Sequence, residues 1–244
     1  LYVDPRAGRL YAVTSEGVYL SPVEHSSWTR IRDSRLRPDS HASISGVSWA
    51  SGSSLLISID DALYRSTDGG ESWAQIPVQA VGDIGRILPT SNGRVLLFSE
   101  QSLLASVDGG LTWEPVLDLS YRDDYAQTIA LDPIDASTVV FQSRRTLSFS
   151  QDGGISWTRL TTPYSSADSV TITGWAPRYV LAVNQGTAFV QELEKLESLP
   201  DWDEFGFPAP RAGVLAVDPA DPDRIFAGTD RGVAISSDNG RSWQ

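Results

Sequence analysis

Short apolar runs alternate along the chain with clusters of Gly, Asp, Pro and Ser. Residues 9–14, 17–21 and 224–229 are typical runs, rich in Val, Ile, Leu, Tyr and Thr. Such runs between turn-forming residues predict short β-strands. No helical period extends over a useful length, although residues 190–199 are ambiguous. The pattern therefore predicts an all-β chain.

One eight-residue box recurs four times, with the consensus S-x-D-[GN]-G-x-[ST]-W. Its copies occupy residues 66–73, 106–113, 150–157 and 236–243. The first serines are 40, 44 and 86 residues apart, and the last spacing is twice 43. A worn copy, meaning one that has lost most of the consensus, lies at 21–28 and keeps only the first Ser and the last Trp. The copy expected at 190–197 reads VQELEKLE.

The period defines six units of about 43 residues, each with four predicted strands. Units of this size cannot bury both faces alone and must stack on one another. We therefore predict a single β-propeller domain over 1–244, with six blades of four antiparallel strands. Seven blades are the alternative if the chain is partial. The predicted blades span residues 1–43, 44–83, 84–126, 127–170, 171–212 and 213–244.

The box has a physical reading as a tight turn between the third and fourth strands of a unit. Glycine supplies positive φ without steric cost, and Asn239 is the next best residue where Gly is replaced. The Asp can accept backbone N–H bonds in the turn, and the Trp ring can cover it. The predicted structural residues of the boxes are Asp68, Trp73, Asp108, Trp113, Asp152, Trp157, Asp238 and Trp243.

Composition excludes several classes of function. The net charge of -12 argues against nucleic acid as a partner. The absence of Cys removes disulfides, thiolate metal sites and a Cys nucleophile. No apolar run is long enough to span a membrane. The first residue is Leu1 and Met is absent, which favours a processed or partial chain. The presence of 18 Arg and a single Lys, Lys195, suggests a high-GC coding bias. We expect an extracytoplasmic bacterial protein, either periplasmic or secreted.

The box resembles the Asp-box, or BNR repeat, of sialidases, xyloglucan-cleaving glycoside hydrolases, sortilin-type receptors and photosystem II assembly-factor propellers. Through its period the resemblance covers nearly the whole chain. It implies a propeller fold, and it implies that the box carboxylates are structural, because the box in those families lies away from the binding or catalytic face.

The sequence lacks the features expected of a sialidase or a xyloglucanase of the resembled types. A sialidase of the resembled type would carry an Arg in an aromatic-Arg-Ile-Pro motif, and Arg30-Ile31-Arg32 lacks both the aromatic residue and the Pro. A xyloglucanase of that type pairs two propellers across a cleft, whereas one is predicted here. The two histidines, His25 and His41, cannot form a His cluster. We therefore predict no catalytic residue, no metal and no cofactor.

Three variable loops are the predicted binding surface. They span residues 32–41, 120–125 and 201–211, and they carry arginines and aromatic residues, which dominate interface energies. The candidate binding residues are Arg32, Arg35, Arg37, Arg122, Tyr125, Trp202, Phe205, Phe207 and Arg211. An equally weighted alternative is that the third loop folds back over the fifth unit, whose box is lost.

These observations predict a non-catalytic binding or scaffold module that takes a protein partner or a glycan through its channel-mouth loops. Two alternatives remain. One is a sialidase-like or xyloglucanase-like glycoside hydrolase, and the other is an accessory or assembly subunit of a membrane complex, such as a photosynthetic one.

Overall fold

The computed structural model describes the chain except for residues 1, 5–7, 15, 25–26, 32–41, 50–51, 60, 80–81, 119–124, 145, 161, 165, 176, 197–201 and 219. Over the described residues the protein is all-β, with six separate antiparallel sheets of three or four strands. No α-helix occurs in this part of the chain, and the only helical turn described is a 3₁₀ turn at Leu193–Lys195. The chain divides into two compact units, Leu1–Tyr121 and Arg122–Gln244.

The first unit contains three four-stranded sheets, in which each strand pairs with its neighbour in sequence. The first sheet comprises β1 (Tyr2–Asp4), β2 (Arg9–Thr14), β3 (Gly17–Pro22) and β4 (Thr29–Arg30). The second comprises β5 (Ala42–Trp49), β6 (Gly52–Ile59), β7 (Ala62–Ser66) and β8 (Ala74–Ile76). The third comprises β9 (Ile84–Pro89), β10 (Val95–Ser99), β11 (Ser102–Ser106) and β12 (Glu114–Asp118).

The second unit contains two four-stranded sheets and one three-stranded sheet of the same sequential order. The fourth sheet comprises β13 (Ala126–Leu131), β14 (Val139–Ser143), β15 (Leu147–Ser150) and β16 (Thr158–Leu160). The fifth comprises β17 (Ser169–Thr173), β18 (Tyr179–Asn184), β19 (Thr187–Glu192) and β20 (Asp203–Gly206). The sixth comprises β21 (Val214–Asp218), β22 (Asp221–Thr229) and β23 (Gly232–Ser236).

Sheets stack face to face within each unit, so a middle sheet is buried on both sides. In the first unit Leu55 and Ile57 of β6 pack against Tyr11 of the first sheet, while Leu56 packs against Leu97 of the third. Successive residues of a strand point to opposite faces, so a strand between two sheets needs apolar residues at every position. Residues 55–57 of β6 and 180–183 of β18, the second strands of the two middle sheets, are such apolar runs.

The fifth sheet is the middle layer of the second unit. One face packs against the fourth sheet, where Ile172 and Val180 meet Val140 and Leu147. The opposite face carries Leu181, Val183, Ala188 and Val190, which pack against Ile225 and Ala227 of the sixth sheet. Each unit therefore has two apolar layers, one on each side of its central sheet.

Candidate functional site

The four intact boxes form hydrogen-bonded turns between the third strand of a sheet and the residues that follow. In the third sheet, the Ser106 hydroxyl donates to Asp108 Oδ1 at 2.8 Å and accepts from the backbone N–H of Gly110 at 2.9 Å. Asp108 also accepts from the Thr112 backbone N–H at 2.9 Å, and the Trp113 indole N–H donates to the Gly110 carbonyl at 3.2 Å. The same serine-to-carboxylate bond of 2.8 Å recurs at Asp68, Asp152 and Asp238.

These bonds fix the charge state of the box carboxylates. Partial burial opposes ionisation of Asp108, but hydrogen bonds from Thr112 and Ser106 outweigh it and lower its pKa to about 2. At Asp68, bonds from the Ser72 hydroxyl and backbone lower the pKa further. A carboxyl with a lowered pKa stays ionised near neutral pH and is a poor proton donor. The box aspartates therefore act as turn acceptors.

The worn box of the first sheet leaves its tryptophan exposed. Trp73, at the matching position of the second sheet, is 3% exposed and donates its indole N–H to Gly70 at 3.0 Å. Trp28 lacks the Asp-Gly-Gly turn beside it and is 45% exposed. A side chain that is structural in the second sheet thus offers much of its ring to solvent in the first.

Trp28 lines an open cavity of about 470 Å³ at the surface of the first sheet. Its other lining residues are Ala12, Thr14, Glu16 and Tyr19. The Tyr19 hydroxyl donates to Glu16 Oε2 at 3.3 Å, and the Arg30 guanidinium donates to the Glu16 carbonyl. The arrangement combines two aromatic rings, one carboxylate and one neighbouring guanidinium. Such a surface can bind a side chain of a partner, or another planar group, through contact with the two rings and through charge-assisted hydrogen bonds.

The fifth sheet replaces its lost box with a short 3₁₀ turn that buries two leucines. Leu193 and Leu196 are each 2% exposed and pack in the core shared by the fourth and fifth sheets. Arg178 pairs with Asp132 of the fourth sheet at 2.7 Å and with Glu194 at 3.2 Å. Asp132 is fully buried, so this cluster joins two sheets and is structural in character.

The structure separates the predicted binding residues into three groups. Arg32, Arg35, Arg37 and Arg122 lie outside the described residues. Tyr125 is 46% exposed with the Arg144 guanidinium 5.8 Å from its ring centroid, and Arg211 is exposed.

The aromatic residues of the third predicted loop pack inward to different extents. Residues Asp203–Gly206 form β20, the fourth strand of the fifth sheet, instead of a loop. Trp202 is half-buried with its ring 5.8 Å from Tyr164, and Phe205 packs against the core of the fifth and sixth sheets. Phe207 is 7% exposed and contacts Trp243 edge to face at 5.0 Å. Trp202 and Phe205 are therefore partly exposed, whereas Phe207 belongs to the core.

Sequence reasoning missed the cavity on the first sheet. Trp28 was recognisable as the tryptophan of a worn box, and the loss of the glycines and aspartate beside it was a usable signal. Tyr19 and Glu16 carried no motif, because their meeting depends on the pairing of β2 with β3 and on the turn between them.

Other site types are not seen in the described part of the chain. Within it no group of three or more His, Cys, Asp or Glu side chains is arranged to hold a metal ion. The described residues also contain no helix with the length and apolarity needed to cross a membrane.

Comparison with known proteins identifies the repeat and the fold. The BNR/Asp-box repeat model matches residues 64–75, which include the box of the second sheet. No curated protein sequence matches the chain. The protein is thus an all-β protein with Asp-box repeats, as the box spacing predicted.

Solved structures of three kinds share the fold. An ancestral GH74 enzyme superposes with a TM-score of 0.76 at 18% identity, over 99% of this chain and 37% of its own. An extracellular domain from B. thetaiotaomicron gives a TM-score of 0.73 at 12% identity, over 96% of this chain and 32% of its own. YCF48 bound to D1 peptide gives 0.69 at 18% identity, over 98% of this chain and 78% of its own.

The chain therefore spans about a third of the length of the first two structures. All three are propeller proteins, and at these identities the likeness shows the fold. The three differ in what their names describe, an enzyme, an extracellular domain and a peptide complex, so fold alone does not select a function.

Proposed function

We propose that this protein is a non-catalytic, protein-binding β-propeller module that acts as a scaffold in the extracytoplasmic space of a bacterium. In this proposal each of the six sheets is one blade, and a seven-bladed ring is the alternative if the chain is part of a longer protein. The partner contacts exposed aromatic and arginine side chains. These side chains belong to the cavity on the first sheet and to the predicted loops.

The observation that carries the proposal is the chemistry of the cavity on the first sheet. Tryptophan, tyrosine and arginine are the residue types that contribute most binding energy at protein interfaces. Trp28 and Tyr19 line the cavity, and Arg30 lies beside it, bonded to the Glu16 carbonyl. A glycoside hydrolase instead needs two carboxyl groups flanking the scissile bond. Among the described lining residues Glu16 is the only carboxylate.

The titratable groups support the same proposal. Shifted pKa values cluster at catalytic sites because catalysis needs tuned acids and bases. Here lowered carboxyl pKa values belong to turns, at the box residues Asp68, Asp108, Asp152 and Asp238 and at Asp135 before β14, and hydroxyl and backbone hydrogen bonds explain them. The pKa of Tyr164 is raised by burial alone.

The likeness to YCF48 adds support for a peptide or protein partner, since one of the superposed structures is a complex with a peptide. The extracellular domain from B. thetaiotaomicron supports an extracytoplasmic location. A role as an accessory subunit of a larger complex fits this proposal, because such subunits also act by binding.

The proposal is tested by affinity capture from the source organism with the wild-type chain and two variants. Trp28→Ala removes the largest ring of the cavity, and Val107→Ala truncates another exposed apolar side chain, in a box turn, as the control. We expect one protein to be enriched by the wild type and by Val107→Ala, and to be depleted with Trp28→Ala. A parallel assay for sugar release from xyloglucan and sialoside substrates is expected to give none. Sugar release that a single Asp or Glu substitution abolishes would overturn the proposal.

A further inference from the structure

The turn between β17 and β18 presents a tryptophan to solvent. Residues 174–178 read Gly-Trp-Ala-Pro-Arg, and Trp175 is 56% exposed, the most exposed tryptophan among the described residues. The fifth sheet is the middle layer of its unit, and both of its faces are covered by neighbouring sheets. The exposure of Trp175 therefore comes from its place in a turn at the edge of the sheet, and not from an uncovered face.

Neighbouring elements hold the backbone of this turn in place. The Gly174 N–H donates to the Pro222 carbonyl of the sixth sheet at 2.9 Å, and the Thr173 hydroxyl donates to Asn239 Oδ1 at 3.0 Å. Gly174 has φ of +91°, and a Cβ there would lie 2.7 Å from the Pro177 carbonyl oxygen, so the turn closes tightly on itself. A ring on an anchored backbone loses less conformational entropy when a partner binds.

Two carboxylates lie on the sixth-sheet side of the turn. The Pro222 carbonyl that accepts from Gly174 stands between Asp221 and Asp223 in the chain, so both acids flank the turn. Asp223 shares a strand face with Ile225, which packs against the fifth sheet. Asp221 is exposed and Asp223 is half-buried, and neither forms an ion pair with another described residue.

The fourth-sheet side of the turn is acidic as well. Arg178, at the end of the turn, bonds to the buried Asp132 at 2.7 Å and to Glu194 at 3.2 Å, so two carboxylates share one guanidinium. The Glu194 side chain remains 46% exposed. Carboxylates therefore flank the turn of Trp175 on both sides, and a surface of this kind attracts positive charge.

The same corner of the molecule already holds one guanidinium over an aromatic ring. Arg241 of the sixth-sheet box lies 4.4 Å from the centroid of the Tyr179 ring at the start of β18. Its guanidinium also donates to the Asp238 carbonyl at 3.1 Å. Arg241 is thus engaged within the chain, whereas the indole of Trp175 is left to solvent.

An exposed isoleucine extends this surface onto the adjacent turn. Ile134 lies between β13 and β14, is 45% exposed, and donates its backbone N–H to Asp132 Oδ1 at 2.8 Å. The bond between Asp132 and Arg178 joins that turn to the turn of Trp175. An indole, carboxylates and an aliphatic side chain therefore lie on two linked turns, which suits a segment of a chain better than a small cation.

We propose that the turn of Trp175 binds a segment of a protein partner that carries an arginine, with the guanidinium over the indole and beside Asp221 and Asp223. Tryptophan is the ring that attracts cations most strongly, and arginine is the cation found there more often. A planar guanidinium stacks on a ring while its N–H groups donate to a carboxylate. The inference rests on the proposed function only in that the partner is a protein, and it uses neither the cavity on the first sheet nor the predicted loops.

The test is an NMR titration of the full chain with the peptide acetyl-GRLRG-amide and with the same peptide in which citrulline replaces both arginines. Citrulline keeps the shape of arginine and removes its charge. We expect the arginine peptide to shift the indole N–H signal of Trp175, assigned with Trp175→Phe, and the amide signals of Asp221 and Asp223. The citrulline peptide should bind roughly fivefold more weakly, because it loses the attraction to the ring and to the carboxylates.

Protein variants separate the ring from the carboxylates. Trp175→Ala and the double variant Asp221→Asn with Asp223→Asn should each weaken binding of the arginine peptide roughly fivefold. Asp230→Asn is the matched control, because it removes an exposed carboxylate from the turn at the opposite end of β22. Val107→Ala truncates an exposed side chain in the first unit. Both controls should bind the peptide as the wild type does.

Three outcomes would overturn the inference. They are equal affinity for the arginine and citrulline peptides, unchanged affinity in Trp175→Ala, and the absence of a shift of the Trp175 indole signal at millimolar arginine peptide. None of these measurements involves Trp28, so a failure of the capture experiment and a failure of this titration are distinguishable.

Discussion

At the scale of the residue, the second glycine of the box has two functions in the third and sixth sheets. It adopts positive φ, +87° at Gly110 and +86° at Gly240. It also packs directly on the preceding sheet, where a Cβ at Gly110 would lie 2.7 Å from Leu56 Cδ1 and one at Gly240 would lie 2.8 Å from Leu181 Cδ1. The turn can therefore approach the neighbouring sheet only without a side chain.

Substitution of Gly110 by Ala should be costly for both reasons. Backbone strain and overpacking each contribute of the order of 1–3 kcal/mol, so we expect a loss of about 3 kcal/mol in the free energy of unfolding. Gly8→Ala is the matched control, with φ of +59° and no atom within 4 Å of the added Cβ. It should lose only about 1 kcal/mol from strain. Urea unfolding measures both, and equal losses would contradict the packing role.

Ionisation of Asp108 should make stability depend on pH in the acid range. Its folded pKa of about 2 lies below the ordinary value of 3.8, so its contribution is present above pH 4 and is lost as the pH falls towards 2. Asp108→Asn should flatten this part of the urea-midpoint profile. Thr112→Val, which removes a hydroxyl donor to the carboxylate, should move the loss to higher pH. A wild-type slope in Asp108→Asn would show that other groups cause it.

Backbone conformation at single residues could be predicted from the sequence, whereas contacts between sheets could not. Positive φ at the box glycines and at Asn239, which has φ of +59°, was predictable because few residues tolerate that conformation. The contact of Gly110 with Leu56 was not, because it joins residues of two sheets. The exposure of Trp28 escaped prediction for a similar reason, since burial of a ring depends on what packs over it.

At the scale of the element, side chains of one sheet hold the box turn of the next. The Tyr11 hydroxyl of the first sheet donates to Gly69 at 3.0 Å, and Arg65 of the second sheet donates to Gly109 at 3.1 Å. In the second unit the Thr173 hydroxyl bonds to Asn239 at 3.0 Å. The repeated turn therefore stabilises the stacking of sheets as well as its own hairpin.

The fifth sheet has no box, and the ion pair of Arg178 with Asp132 links it to the fourth sheet instead. Arg178→Met should destabilise the chain by about 2 kcal/mol, because it leaves the buried Asp132 carboxylate without its cation. The loss is smaller than for a fully buried ion pair because Arg178 is partly exposed. In a double-mutant cycle with Asp132→Asn, the combined loss should be smaller than the sum of the single losses. Strict additivity would show that the ion pair contributes no coupling.

The elements of the fifth sheet also mark a limit of the sequence pattern. Residues 201–211 read as a loop because Asp, Gly and Pro are frequent there, yet residues Asp203–Gly206 pair with β19 as a strand. The pairing of Phe205 with Ala188 places an apolar ring over the core shared with the sixth sheet. Burial of that ring and the backbone ladder outweigh the weak local strand propensity.

At the scale of the whole molecule, the 43-residue period predicted the number and order of the sheets. Six copies of one strand pattern gave six antiparallel sheets over the described residues, and within each compact unit the central sheet buries both faces against its neighbours. Function did not follow in the same way. The period constrains the repeated turns, whereas Trp28, the residue proposed for binding, lies where a unit departs from the repeat.

The most direct test of the binding role is photocrosslinking from position 28. A photoreactive phenylalanine analogue in place of Trp28 is compared with the same analogue at Val107, each in extracts of the source organism, with adducts identified by mass spectrometry. We predict a covalent adduct with one discrete protein from position 28 and none from position 107. An absence of protein adducts at position 28, or the same adducts from both positions, would contradict the binding role assigned to the cavity.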